Sequence, residues 1–86
     1  MKKSDLSRQL NDLGEWEENP FKKRAYIKAA AIIADMDEDE FTARTDFRDI
    51  DGIGEALNQK ILQFKQTGTI EKWQQLTRER TGGSNN

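Results

Sequence analysis

Ile50-Asp51-Gly52-Ile53-Gly54 decides how this chain is read. The pattern is apolar–x–Gly–apolar–Gly, set between two stretches of helical periodicity. Two glycines separated by one residue let a backbone turn sharply and approach another surface closely. The second glycine opens a helix, and the unpaired N–H groups at such an opening attract phosphate through hydrogen bonds and the helix dipole. The spacing fits two readings equally well. One is a phosphate-binding helix opening, and the other is an αα-hairpin whose glycines serve only helix packing. The strand–turn–helix setting of a dinucleotide fold and the lysine pattern of a nucleotide-binding loop are both missing.

Working outward, Leu57, Ile61 and Phe64 form the inward stripe of a helix over about 55–66. Thr67-Gly68 ends it, with Gly68 suited to a left-handed cap. A last helix over about 69–80 presents Ile70, Trp73 and Leu76, and residues 81–86 read as a flexible tail. Upstream of the turn, Phe41, Phe47 and Ile50 anchor an expected short helix over about 42–50. The acidic stretch from Asp35 to Glu40 reads as a solvated loop, without the glycine and twelve-residue spacing of a calcium loop. A helix over about 20–34 carries the stripe Tyr26, Ile27, Ala30, Ile33 and Ala34, and Asn19-Pro20 breaks the chain before it. Leu6, Leu10, Leu13 and Trp16 mark a first helix, with Ser4 or Asp5 available as its cap and Gly14 weakening its end. The expected fold is all-α, a small bundle of four to five helices over residues 1–80, with no strand and no internal repeat.

Composition narrows the chemistry. The chain has 86 residues, of which 34% are apolar and 35% charged, enough for one domain with a small core. It has no cysteine and no histidine. Disulfide scaffolds, thiolate or imidazole metal sites, cysteine nucleophiles and the Ser-His-Asp triad are thereby excluded. The longest apolar run, Ala29 to Ala34, is far short of the roughly 20 residues of a membrane span. No apolar segment follows Lys2-Lys3 to make a secretory signal. The chain is therefore expected to be intracellular, cytoplasmic if bacterial or phage and nuclear if eukaryotic, with no membrane partner.

The net charge of −2 conceals segregation. Residues 20–34 hold Lys22, Lys23, Arg24 and Lys28 with no acid, whereas residues 35–51 hold eight acids against Arg44 and Arg48. A local basic site is compatible with an acidic whole, because the field depends on where charges sit. Four bases in seven positions favour a phosphate-facing role over an ordinary solvated surface.

The hairpin residues 50–54, followed by Leu57, Lys60, Ile61 and Phe64, resemble a helix-hairpin-helix motif. More specifically, residues 5–80 resemble the amino-terminal domain of family X DNA polymerases, the polymerase beta group. Phe21 to Ala30 is similar to that family's basic, tyrosine-containing second helix. Phe47-Arg48-Asp49-Ile50 leads into the hairpin as its third helix does, and Gln66 to Lys72 looks like its helix exit. The resemblance implies a SAM-like helical domain that binds 5′-phosphate ends in gapped, nicked or single-stranded DNA during DNA repair. In several members it is also a 5′-deoxyribose phosphate lyase acting through a lysine Schiff base. Carried over residue by residue, the nucleophile falls on Lys60. Lys22 and Lys72 match phosphate-contacting lysines, and Lys23 lies in the same basic run. Tyr26 matches a tyrosine beside the site, Phe21 an aromatic that stacks on a template base, and Gly52, Ile53 and Gly54 the phosphate-binding turn. The backbone carbonyls of Arg48, Ile50 and Ile53 match those that hold a monovalent cation, Na+ or K+; no other cofactor is implied. The polymerase's catalytic parts are absent, so this chain is not itself a polymerase.

Three positions depart from the pattern. Ala56 stands where a helper lysine is found, Gln59 replaces a glutamate that assists proton transfer, and Asp51 replaces a proline. Plain readings stand beside the functional ones. Lys60 fits a lysine snorkelling at the margin of an apolar stripe, Tyr26 and Trp73 fit core positions, and Phe21 fits a hydrophobic staple beside Pro20. Three functions remain open at this stage: a module for 5′-phosphate DNA ends, the same module as a lysine-dependent lyase, and a protein-interaction domain that offers the acidic face of residues 35–51 to a basic partner.

Overall fold

The computed structural model describes residues 2–82, and every regular element in it is an α-helix. In chain order these are α1 (Lys3–Trp16), α2 (Pro20–Asp35), α3 (Glu38–Ala43), α4 (Glu55–Thr67) and α5 (Glu71–Gly82). The last helix runs two residues into the expected tail, and residues 83–86 of that tail lie outside the described residues.

α1 and α2 form an antiparallel pair. Leu6 and Leu10 of α1 and Ala29 and Ile33 of α2 are fully buried between them and their neighbours. Neither Ser4 nor Asp5 caps α1, which begins earlier, with Lys2 at the cap position and no side-chain cap bond. The Lys3 ammonium instead donates to the Ala34 carbonyl at 2.8 Å, tying the start of α1 to the end of α2. Gly14 does not end α1. A Cβ there would lie 2.9 Å from Ile27 Cγ1 and 3.3 Å from the Lys23 carbonyl, so the missing side chain is what lets the two helices cross closely. α2 starts as its sequence dictates. The Asn19 side chain accepts from the Phe21 and Lys22 N–H groups, with Pro20 in the first turn. Its buried stripe is Tyr26, Ala29, Ala30 and Ile33; Ile27 and Ala34, expected inward, are exposed.

The third helix departs most from expectation. It lies over Glu38–Ala43 rather than 42–50, and the stretch Asp35 to Glu40, expected as a loop, contains the end of α2 and the start of α3. Asp37 caps α3 by accepting from the Asp39 N–H, and Glu38, Asp39 and Glu40 place negative charge at the positive end of its dipole. Past Arg44 two side chains capture the N–H groups a helix would need. Asp46 accepts from the Arg48 N–H at 3.0 Å, and Asn58 accepts from the Phe47 N–H at 2.8 Å. Residues 47–53 are therefore successive turns, closed by Ile50 N–H to the Phe47 carbonyl and Ile53 N–H to the Ile50 carbonyl. The Lys65 ammonium, from α4, donates to the Phe41, Thr42 and Arg44 carbonyls that α3 leaves unpaired.

α4 opens at Gly54 and closes on Gly68 in the left-handed region, φ 89°. Phe47, Ile61 and Phe64 lie at the centre of the core, beneath α3 and the turns. α5 docks through the fully buried Ile70, whose N–H donates to the buried Gln9 side chain at 2.8 Å, and through Trp73, whose indole N–H donates to Asp12.

Asn58 is the hinge pin of the hairpin, one of three buried polar residues among the described residues. Asn58→Ala leaves the buried Phe47 N–H without an acceptor and is expected to destabilise the fold by about 1–2 kcal/mol. Urea unfolding checks this. The lower midpoint should come with an unchanged slope, because the unfolded chain exposes the same surface.

Candidate functional site

The turn and three helices enclose a cleft of about 400 Å3. Lys22, Ala25 and Tyr26 of α2 form one wall and Gly52 and Gly54 of the turn another. The first turns of α4 (Glu55, Ala56, Leu57, Lys60) and Lys72 of α5 complete it. The sequence-derived set Lys22, Tyr26, Gly52, Gly54, Lys60 and Lys72 is thus brought to one place from four separate parts of the chain.

Each wall has a local cause. Gly52 sits at φ 100°, a conformation that a side chain disfavours, and a Cβ there would lie 2.9 Å from Lys28 Cε. Gly54 is extended, and no side chain caps α4, so the first N–H groups of that helix keep their capacity to bind an anion. The Tyr26 ring is buried, and the Lys60 and Lys72 ammonium groups each lie 6.0 Å from its centroid. Amines from α4 and α5 thus both approach one aromatic ring, whose quadrupole attracts cations.

Lys60 is half-buried, and burial pushes its amine below the ordinary lysine range, with the neighbouring charges of Lys72 and Lys22 adding to the effect. A larger fraction is therefore the neutral amine than in a free lysine. Lys65 is also lowered by burial, but its donors are spent on the α3 carbonyls.

Other expected residues stand elsewhere. The Lys23 ammonium turns away and donates to the Gly14 carbonyl at 2.9 Å and the Glu15 carbonyl at 3.2 Å, at the negative end of α1. Phe21 is 75% exposed, with the Arg24 guanidinium 5.6 Å from its ring centroid. Lys28 pairs with the exposed Asp51 at 3.9 Å. Ile53 is buried and Ile50 half-buried, and the turn from Arg48 to Gly54 borders a second, shallower depression. Among the described residues, no group of three or more acidic side chains is placed to hold a metal ion.

Glu55, the acid directly after the second glycine, is a cleft residue that neither the basic run nor the hairpin pattern marks. It lines the cleft, and its carboxylate accepts from Arg48 Nη1 at 3.0 Å and Gln59 Nε2 at 2.9 Å. These bonds, Gln59 first and Arg48 second, hold its pKa below the usual glutamate range. Arg48 in turn is gripped by Asp46 through Nε at 3.1 Å and Nη2 at 2.9 Å. Those bonds hold the Asp46 carboxyl at about 2. On the acidic side of the molecule Arg44 pairs with Glu40 at 3.0 Å and Asp49 at 2.8 Å. No helix among the described residues is long and apolar enough to cross a membrane.

A family model described as a helix-hairpin-helix domain matches residues 1–70. No curated protein and no solved structure matches the chain.

Proposed function

Because the chain belongs to the helix-hairpin-helix domain family, we propose that it is a DNA-binding module that takes a 5′-phosphate end, as in gapped or nicked DNA, into the cleft between α2, the turn and α4. A single observation carries this reading. Lys22, Lys60 and Lys72 meet at the uncapped opening of α4. Ammonium groups and helix N–H donors aimed at one volume form a site for a doubly charged terminal phosphate. Duplex phosphates would run along the exposed N-terminal half of α2, where Phe21 offers a ring for base stacking. Lys23 would add to the field without contacting the end, since its donors are engaged. The carbonyls of Arg48, Ile50 and Ile53 would hold a Na+ or K+, which would supply positive charge at the turn. The Ile50 carbonyl accepts one hydrogen bond from Ile53 and keeps a second lone pair for such an ion.

Lys60 is the amine that would attack the C1′ aldehyde of a ring-opened deoxyribose phosphate, releasing water and forming an imine. Loss of the C2′ proton then breaks the C3′–O bond and frees the downstream strand. Neither Ala56 nor the Gln59 amide can accept that proton, so imine formation is expected to outpace elimination. An interaction with a basic protein through residues 35–51 is less favoured, because Glu40, Asp46 and Asp49 already pair with Arg44 and Arg48.

The deciding experiment is an amide-shift titration with gapped duplex DNA, with and without a 5′-phosphate in the gap. The phosphate should selectively shift Gly54, Glu55 and Ala56 and add to the affinity. Equal shifts with the 5′-hydroxyl duplex would overturn the end-recognition reading.

A further inference from the structure

The lysine-lined cleft contains one carboxylate, that of Glu55, at the first position of the helix whose N–H groups face the proposed phosphate. A negative charge there opposes an incoming phosphate, yet its surroundings are built to restrain it. Arg48 and Gln59 donate to separate oxygens of that carboxylate, Oε1 at 3.0 Å and Oε2 at 2.9 Å. Arg48 has little freedom of its own. Its backbone N–H, Nε and Nη2 are all bonded to Asp46, at 3.0, 3.1 and 2.9 Å, which leaves Nη1 aimed at Glu55. Asp46 lies in the turn that follows α3, Arg48 at the start of the hairpin and Glu55 beyond it. The chain of bonds therefore spans the hairpin from one side to the other.

We propose that Glu55 is a counter-charge that sets the phosphate affinity of the cleft, and that Arg48 is a positioning residue that neutralises it and holds it at the rim. The proposal rests on the 5′-phosphate reading given above. Clamped, the carboxylate leaves the uncapped α4 N–H groups to the ligand. Unclamped, it presents a full negative charge to the same volume and competes with phosphate for the three lysines. Both side chains are more than half exposed, so solvent screening limits the effect to a few-fold.

A double-mutant cycle tests this with gapped DNA bearing either a 5′-phosphate or a 5′-hydroxyl, at low salt. Glu55→Gln, which keeps an acceptor for Gln59, is expected to bind the phosphorylated duplex about threefold tighter. The 5′-hydroxyl duplex, which brings no charge to that end, should gain less, so the preference for the phosphate should widen. Arg48→Ala in the native background should weaken phosphate binding about fivefold. In the Glu55→Gln background the same change should cost less than about twofold, because no charge remains to be released. Equal losses from Arg48→Ala in both backgrounds would overturn the proposal, since Arg48 would then contact DNA directly. That result, with a wild-type preference for the 5′-phosphate, leaves the cleft reading standing. No wild-type preference at all would remove both. Arg48→Lys serves as a second clamp variant: it keeps a charge but lacks the fork that grips Asp46 and Glu55 together. It should lie between wild type and Arg48→Ala.

Discussion

Borohydride added to the protein with DNA carrying a 5′-deoxyribose phosphate is expected to trap a covalent adduct, and Lys60→Ala is expected to abolish it. The amine attacks only when unprotonated. The Lys60 pKa is displaced downward, by burial first and by the charges of Lys72 and Lys22 second. The sign of the pH dependence follows. Trapping rises with pH as the neutral amine accumulates, and does so below the range of an ordinary lysine. Replacing Lys72 with alanine removes a like charge, raises the Lys60 pKa and moves the rise to higher pH. Lys60→Ala should reduce equilibrium binding by less than about tenfold, since one of three lysines is lost. Single-turnover cleavage should lag behind trapping, because Ala56 and Gln59 supply no proton acceptor. An adduct that survives Lys60→Ala would shift the chemistry to Lys22 or Lys72. Tight binding with no adduct in the native protein would leave a binding module without lyase activity.

Lys22→Ala combined with Lys72→Ala is expected to weaken binding to the 5′-phosphorylated gap about one- to two-hundredfold, with each exposed charge-assisted contact contributing about 1.5 kcal/mol, the low end of the usual range. The two lysines enter the cleft from α2 and α5, so neither can replace the other. The slope of log affinity against log salt should flatten by about 1 to 2, as fewer counterions are released. Both side chains are exposed at the surface, so thermal unfolding should change little. An unchanged salt slope would mean that the lysines do not meet phosphate, and the cleft would have to be reassigned.

Some of this was legible from residues alone because local physics is written locally. Asn19-Pro20 starts α2, the Gly52–Gly54 spacing makes the turn, and Gly68 closes α4, all through contacts within a few residues. The leucine and isoleucine periodicity of α1 and α4 likewise marks the faces that are buried. Lys22, Tyr26, Lys60 and Lys72 were singled out by their resemblance to a family pattern. Their convergence was not readable from spacing, because Lys22 and Lys72 are fifty positions apart in the chain.

What only the tertiary structure decided depends on partners distant in sequence. The apolar anchors Phe41, Phe47 and Ile50 suggested a helix over 42–50. The helix lies earlier because Asn58, eleven residues on, takes the Phe47 N–H, and Lys65 closes the α3 carbonyls from α4. Gly14 looked like a helix breaker and is instead a contact surface for Ile27 and Lys23. Lys23 looked like its basic neighbours until the end of α1 drew its ammonium away. Glu55 is one acid among sixteen in the sequence, and only the hairpin sets it between Arg48 and Gln59 at the mouth of the cleft. In each case a side chain's own propensity specified what it could do, and a donor or acceptor delivered from another helix determined which of those things it does.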